Sequence, residues 1–363
     1  MNVLLLAGSE ALNLKVLYCL YPVCSQVHVM ANARDNLLKY SRHTYKFSYL
    51  PWGKDKAQDE QNACHIREYC EQHDISLIIP GDIGATAFLN RTLSFFGEKD
   101  GKGAIRCFPC SSAETLNNIH NKWSFAHILM THGLATPKTK LISSSSDLTE
   151  AFVAEIGFPL IVKPLECESS HGVVKIEDYE SLKNHVEGPA PYSEPPLIIQ
   201  EYIPGYDIDL SLLADQGEII AMAVQKWNEG DTLSFLRNEE IENLGRDIIR
   251  LFEFSGVAHF DMRVDSRNSQ VYVIECNPRF WFTMPAAMWT GLNFVEAGID
   301  YCTGRADGKH YEAKGEYRLP GAVGRELLKR PWRAFTLPTE NLKGLFQPLL
   351  DPMPHWIDYR RKS

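Results

Sequence analysis

The chain has 363 residues, enough for two or three units with cores of their own. Hydrophobic residues make up 44 % and charged residues 23 %, an ordinary globular mixture, and a net charge of −9 excludes the broad basic footprint of a nucleic-acid-binding protein. No apolar run has the length that spans a bilayer, and nine scattered cysteines fit a reduced, cytoplasmic protein without a membrane partner.

The first segment, MNVLLLAGSEALNLK, lacks a basic start and a long apolar run, so it reads as a strand at Val3–Leu6 rather than a signal peptide. Apolar runs at Gln26–Met30 and Leu77–Ile79, with a helical segment at 57–73 between them, predict a parallel α/β unit. No GxGxxG follows the first strand, so a dinucleotide site is not expected. Pro80-Gly-Asp-Ile-Gly84 stands at a strand's carboxyl end; a ligand site and a plain βα turn both fit it. Cys107-Phe-Pro-Cys110 has no second Cys-x-x-Cys to complete a zinc site and reads as two thiols in a loop.

A helix is predicted over Asn121–His132, stopped by Gly133, and an extended segment starts at Pro137. The serine run 143–146 precedes a helix reaching about Ile156. Leu160-Ile-Val-Lys-Pro164 is a short strand, and 188–196 a proline-rich connector before a strand at Leu197–Tyr202. Segments 209–214 and 218–226 form a meander, 239–255 a helix, and Ala258–Val264 with Gln270–Cys276 a hairpin through DSRNS. The role of the Pro-, Trp- and Arg-rich tail after about 315 is not assigned by its pattern.

Chemistry concentrates at the hairpin. Glu275 and Asn277 share a strand face, and the pairing places Asp261 opposite Glu275. Facing carboxylates repel unless a cation sits between them, and hard oxygen ligands of this kind suit Mg²⁺. Arg279 lies within reach to hold a phosphoryl group or a carboxylate. A surface ion pair between Glu275 and Arg279 beside an Asn-Pro turn is the plain alternative. Lys163 ends an apolar strand, where an anionic partner would offset its burial. The loop Glu166–Val173 has small and hydroxylated residues that let backbone N–H groups approach phosphate, although a simple turn fits it as well. The chain has no GxxxxGK[ST] phosphate loop.

In order and spacing, residues 1–300 resemble the ATP-grasp ligases, with Asn277-Pro-Arg-Phe280 resembling the carbamoyl-phosphate-synthetase-like branch. The resemblance implies an α/β and α+β protein of four parts. These are a Rossmann-like domain (1–120), a small lid (121–198), a catalytic antiparallel-sheet unit (199–315) and an extension (316–363). It implies that Lys122 and Lys163 bind phosphates and that Glu168, Ser169, Ser170, His171 and Gly172 form the loop over them. Gln200, Glu201, Tyr202 and Ile203 would receive adenine, and Asp207 ribose. Gln200 stands where many members carry glutamate, and His171 is an insertion that would contact phosphate or pack. Asp261, Glu275 and Asn277 would ligate magnesium, two ions being expected and manganese an alternative, with Arg279 on the transferring phosphoryl group. Lys226, Trp227 and His259 are candidates to line the acceptor site; Trp227 fits the core equally, and His259 a supporting hydrogen-bond role. The implied activity is ADP-forming ligation of a small carboxylic acid to an amine, through an acylphosphate, by a monomer or homodimer. Phosphorylation of bicarbonate or an enolate oxygen, or nucleotide binding without turnover, are the alternatives.

Overall fold

The computed structural model describes residues 1–53, 55–96, 105–167, 171–189 and 191–362. It begins with β1 (Asn2–Ala7), α1 (Glu10–Leu20), β2 (Gln26–Ala31), β3 (Lys46–Tyr49), α2 (Lys56–Gln72), β4 (Ile75–Pro80), α3 (Ile83–Thr92) and β5 (Arg106–Cys107). These strands form one parallel sheet in the order β3-β2-β1-β4-β5. The apolar run of β1 is buried from Val3 to Ala7, as a strand covered on both faces must be. The short, polar β3 escapes prediction because its four residues carry no buried row.

The turn at Pro80–Gly84 is held by its own side chains. The Asp82 carboxylate caps α3 by accepting from Ala85 N (3.0 Å), and also accepts from Gly8 N (2.6 Å), Ser9 N (2.8 Å) and Asn13 Nδ2 (2.6 Å). A Cβ on Gly81 would stand 1.5 Å from Asn13 Oδ1, so only glycine allows this approach. All nine cysteines are free; burial pushes the Cys110 thiol up to about 12 and holds Cys107 higher still, which disfavours the thiolate in the Cys-x-x-Cys pair.

Next come α4 (Ala113–His120), α5 (Lys122–Thr131), β6 (Thr139–Ile142), α6 (Glu150–Ala154), β7 (Leu160–Pro164), β8 (Val174–Ile176), α7 (Tyr179–Glu187) and β9 (Leu197–Glu201). The strands make a four-stranded antiparallel sheet, β6-β9-β7-β8. Its apolar face packs on α6 and α7 through Leu160, Val162, Ile199, Val153, Leu182 and Val186. The expected division between 198 and 199 falls inside β9.

The remaining elements are β10 (Gly205–Asp215), β11 (Glu218–Asn228), β12 (Thr232–Leu236), α8 (Glu239–Leu251), β13 (Gly256–Asp265), β14 (Val271–Asn277), α9 (Met284–Trp289), α10 (Phe294–Cys302), β15 (Gly315–Arg318), α11 (Pro320–Lys329), α12 (Thr339–Leu350) and α13 (Pro352–Lys362). A six-stranded antiparallel sheet runs β14-β13-β10-β11-β12-β15, so the expected division at 315 and 316 lies inside its edge strand. One core joins the first sheet's α1 to Phe280, Trp281, Met284 and Phe294, fixing the parallel unit against the end of the hairpin. The tail returns to the first sheet. Asp351, fully buried, accepts from Ser41 Oγ (2.6 Å), Arg42 N (3.0 Å) and Tyr18 OH (3.2 Å). Among the described residues no helix is long and apolar enough to cross a membrane.

Candidate active site

A cavity of about 640 Å³ opens between the four-stranded and six-stranded sheets, lined by Lys163 and Gln200 from the first, by Asp207, Asp261, Glu275 and Asn277 from the second, and by Lys122 from α5. The hairpin pairs Asp261 with Glu275 and His259 with Asn277. The geometry reaches this pairing by a route that simple alternation does not give. Met262 pairs with Val273, so the next regular partner of Asp261 would be Ile274; a bulge between Asp261 and Met262 skips Ile274 and brings Glu275 opposite instead. Val273 therefore stays in the apolar core, while Ile274 and Glu275, adjacent in sequence, both face the cavity. Cys276 returns to the core and Asn277 to the cavity. An apolar strand thus changes to a polar edge without moving its buried row.

Two lysines meet the carboxylates. Lys122 opens α5, whose Asn121 cap fixes the first turn, and its Nζ lies 3.5 Å from Glu275 Oε2 and donates to Cys167 O at 2.7 Å. Lys163, 2 % exposed, reaches the same Glu275 oxygen at 3.7 Å from β7. Burial lowers the Lys163 ammonium's pKa, and Glu275 opposes the shift. Burial works against the Glu275 carboxylate too, but Lys163 and Lys122 outweigh it and hold the group below its ordinary value. Asp261 goes the other way: burial and then the Glu275 charge raise it, and Asn277 Nδ2 donates to it at 3.3 Å. Arg279, buried, donates to Phe280 O (3.0 Å) and lies 3.4 Å from Asn277 Oδ1.

The strand joining the sheets supplies the other wall. Gln200 Nε2 donates to Thr139 Oγ1 at 2.9 Å, which engages the amide nitrogen and leaves the carbonyl oxygen as the acceptor of that side chain. Glu201 N donates to Lys138 O, and Ile203 O accepts from Arg263 Nε. Tyr202 lines the cavity under the Lys175 ammonium, 4.4 Å from the ring centre. Asp207 stands exposed at the rim, paired with Arg263.

Several expectations change. Lys226 pairs with Ile208, an apolar core residue, and so lies on the face of β11 turned away from the cavity; its ammonium sits over the Tyr206 ring at 4.2 Å. Alternation places Gln225 and Trp227 on the cavity side instead. His171 is exposed and stacks on Tyr192, with ring centres 6.1 Å apart, and neither it nor Gly172 lines the cavity, whereas Cys167 and Val173 do. Glu168, Ser169 and Ser170 lie outside the described residues. His259 does line the cavity. Its Nδ1 meets Ser211 Oγ at 2.9 Å, its ring stacks on Trp281, and its Nε2 is 3.3 Å from Asp261 Oδ1 and 3.9 Å from Asp209 Oδ2. Burial lowers its pKa, with Asp209 opposing. Asp209, which the sequence reading missed, is buried in the same wall, and burial pushes its carboxyl up to about 6. The pattern Asp207-x-Asp209 on one strand was the signal for it.

Comparison with known proteins follows the same outline. The family model described as "RimK-like ATP-grasp domain" matches residues 119–242, and "ATP-grasp in the biosynthetic pathway with Ter operon" matches 193–320. The multifunctional protein pyr1-3 of Dictyostelium discoideum is 26 % identical over 200 residues, 50 % of this chain and 9 % of that protein. The carbamoyl phosphate synthase large chain of Clostridium acetobutylicum is 25 % identical over 211 residues, 54 % of this chain and 20 % of its own length. The chain thus spans a fifth or less of these two relatives. Among solved structures, N5-carboxyaminoimidazole synthetase from Staphylococcus aureus complexed with ADP superposes with a TM-score of 0.67 at 14 % identity, covering 92 % of this chain and 86 % of that one. The L-amino acid ligase from Bacillus licheniformis superposes at 0.61 and 16 % identity, covering 85 % and 77 %. Over residues 119–320, two overlapping ATP-grasp models match the part of the chain in which lysines from two different elements meet the acidic end of an antiparallel hairpin.

Proposed function

We propose that the protein is an ADP-forming ligase that activates a carboxylate as an acylphosphate and joins it to an amine. The observation that carries this reading is the grouping of Lys122, Lys163, Asp261, Glu275, Asn277 and Arg279 around one cavity. The donor set fits magnesium. Two facing carboxylates and an amide oxygen are hard ligands, and Asp261 is held away from ionisation by burial and by its neighbour, a strain that a divalent ion relieves. Asp261, Glu275 and Asn277 would hold the metal, one ion or two, with manganese as a substitute; when bound it neutralises phosphate charge.

The protein's own residues then divide the work. Glu201 and Ile203 line the cavity, where their backbone would receive an adenine edge, Gln200 offers its amide oxygen, and Asp207 stands at the rim for ribose hydroxyls. Lys122 and Lys163, now on Glu275, are positioned to turn to phosphate oxygens. An oxygen of the acid attacks the γ-phosphorus, the bond from that phosphorus to the bridging oxygen breaks, and its electron pair leaves on ADP. The amine nitrogen then attacks the acyl carbon, phosphate departs and the amide forms after loss of the amine's proton. Arg279 stabilises charge on the moving phosphoryl group, and the four-stranded sheet covers the site against water.

The test is ADP release in the presence of Mg²⁺ and ATP, with panels of small acids (bicarbonate included) and amines, and hydroxylamine to trap acylphosphate as hydroxamate. Release that requires an acid, with hydroxamate formed, supports the reading. ATP binding without acid-dependent release across the panels overturns it in favour of a nucleotide-binding protein.

A further inference from the structure

We propose that the wall of the cavity formed by β10 and β11 receives the amine as a cation carried on an apolar or aromatic body, with Asp209 as its counter-charge; this rests on the ligase reading for its place in the reaction. Asp209 is 5 % exposed and lines the cavity. Its hydrogen bond comes from a neutral group, Gln225 Nε2 at 3.1 Å, and the same amide nitrogen also donates to Thr283 Oγ1 at 3.1 Å, which fixes the amide's orientation. Among the described residues no lysine or arginine pairs with Asp209. The cavity's two lysines are committed to Glu275, and the His259 Nε2 stands 3.9 Å off. A buried carboxylate that faces a cavity with one amide donor and an imidazole 3.9 Å away, and no lysine or arginine among the described residues, is suited to a cation from outside.

The surroundings define the rest of the ligand. Trp227, two residues from Gln225 on the same strand face, and Trp281, stacked on His259, flank Asp209 along the cavity wall, and Phe282 lines it too; Trp227 and Phe282 are 40 % and 51 % exposed. Exposed aromatic faces beside a buried carboxylate favour an ammonium with an apolar body, through cation–π contact and area removed from water. Trp281 adds a second incomplete group: its indole N–H is buried and has no acceptor.

The test uses the whole chain and reads binding separately from turnover. Thermal shift or calorimetry compares phenethylamine with phenethyl alcohol and 3-phenylpropionate, in wild type, Asp209→Asn, Asp209→Glu and Trp227→Ala. The amine is expected to bind, and the alcohol and the acid at least tenfold more weakly. Asp209→Asn should lose tenfold or more in amine affinity, Asp209→Glu should recover part of it, and ADP binding reports that each variant is folded. If turnover is found, KM for the amine should rise in Asp209→Asn far more than KM for ATP. Amine binding without ADP release would leave this inference standing while the ligase reading falls. Equal binding of alcohol and amine, undiminished amine binding in Asp209→Asn, or a site that takes Zn²⁺ alone through Asp209, His259 and Asp261 and no amine, would each overturn it.

Discussion

Glu275→Gln removes a carboxylate that Lys122 and Lys163 share, at 3.5 and 3.7 Å. At an effective dielectric near 20 each contact has a gross attraction of about 4–5 kcal/mol. Most of that is offset by desolvation, and breaking such a pair costs about 3–5 kcal/mol when it is fully buried. Glu275 keeps 23 % of its side chain exposed, so a loss of about 2–3 kcal/mol follows, a Tm decrease of several degrees. The binding consequence has the opposite sign. With the carboxylate gone, both ammonium groups seek an anion, so ADP in EDTA should bind the variant about fivefold more tightly than wild type, roughly 1 kcal/mol. With Mg²⁺ present, the advantage should vanish and turnover should fall by at least a hundredfold. Calorimetric titration of ADP with EDTA and with Mg²⁺, beside melting curves, checks all three signs. ADP affinity in EDTA that is unchanged or weaker, together with Mg²⁺-dependent turnover within tenfold of wild type, would refute the reasoning.

Two further outcomes follow from the same coordinates. Deleting Ile274 removes the bulge but leaves Val273, Glu275, Cys276 and Asn277 opposite their present partners, so the variant should fold, with circular dichroism retained and nucleotide affinity reduced; deleting Cys276 instead forces Asn277 into the apolar row and should give insoluble protein. His28 is fully buried on Tyr69 OH, and burial, then His73 and Lys46, push its pKa down to about 4. An unfolded chain takes up a proton near pH 6.5 that the native imidazole refuses. The contribution of His28 is therefore complete above pH 6.5 and is lost as pH falls toward 4, on the order of 3 kcal/mol. Urea midpoints across that window should drop less in His28→Gln than in wild type.

The parts of the site that were legible in the sequence are those where chemistry sits against local pattern. Lys163 at the end of LIV, and Glu275 and Asn277 after VYVI, are polar residues at strand ends, and such placements have few purely structural explanations. Lys226 was misplaced because a meander strand read alone has no marked face; only its pairing with Ile208 and that of Gln225 with Asp209 assign the two sides. Asp209 was passed over because its neighbour Asp207 satisfied the expected ribose role, though the two share a face. The bulge was invisible, since nothing in VYVIEC distinguishes an extra residue from a regular one. In the fold, β8 and β15 escaped notice because three- and four-residue strands carry too little alternation to stand out.

Asp82 has a bearing on how labour is divided in this molecule. In a βαβ unit the amide end of the first helix is the natural seat for a phosphate. Here the polypeptide's own carboxylate occupies that seat, gripping Gly8 and Ser9. At this helix end the amino-terminal sheet is closed from within, and it bears on the end of the hairpin through a shared core. Replacement of Asp82 by a neutral side chain would free those two amides and open a berth for anions far from the hairpin in sequence.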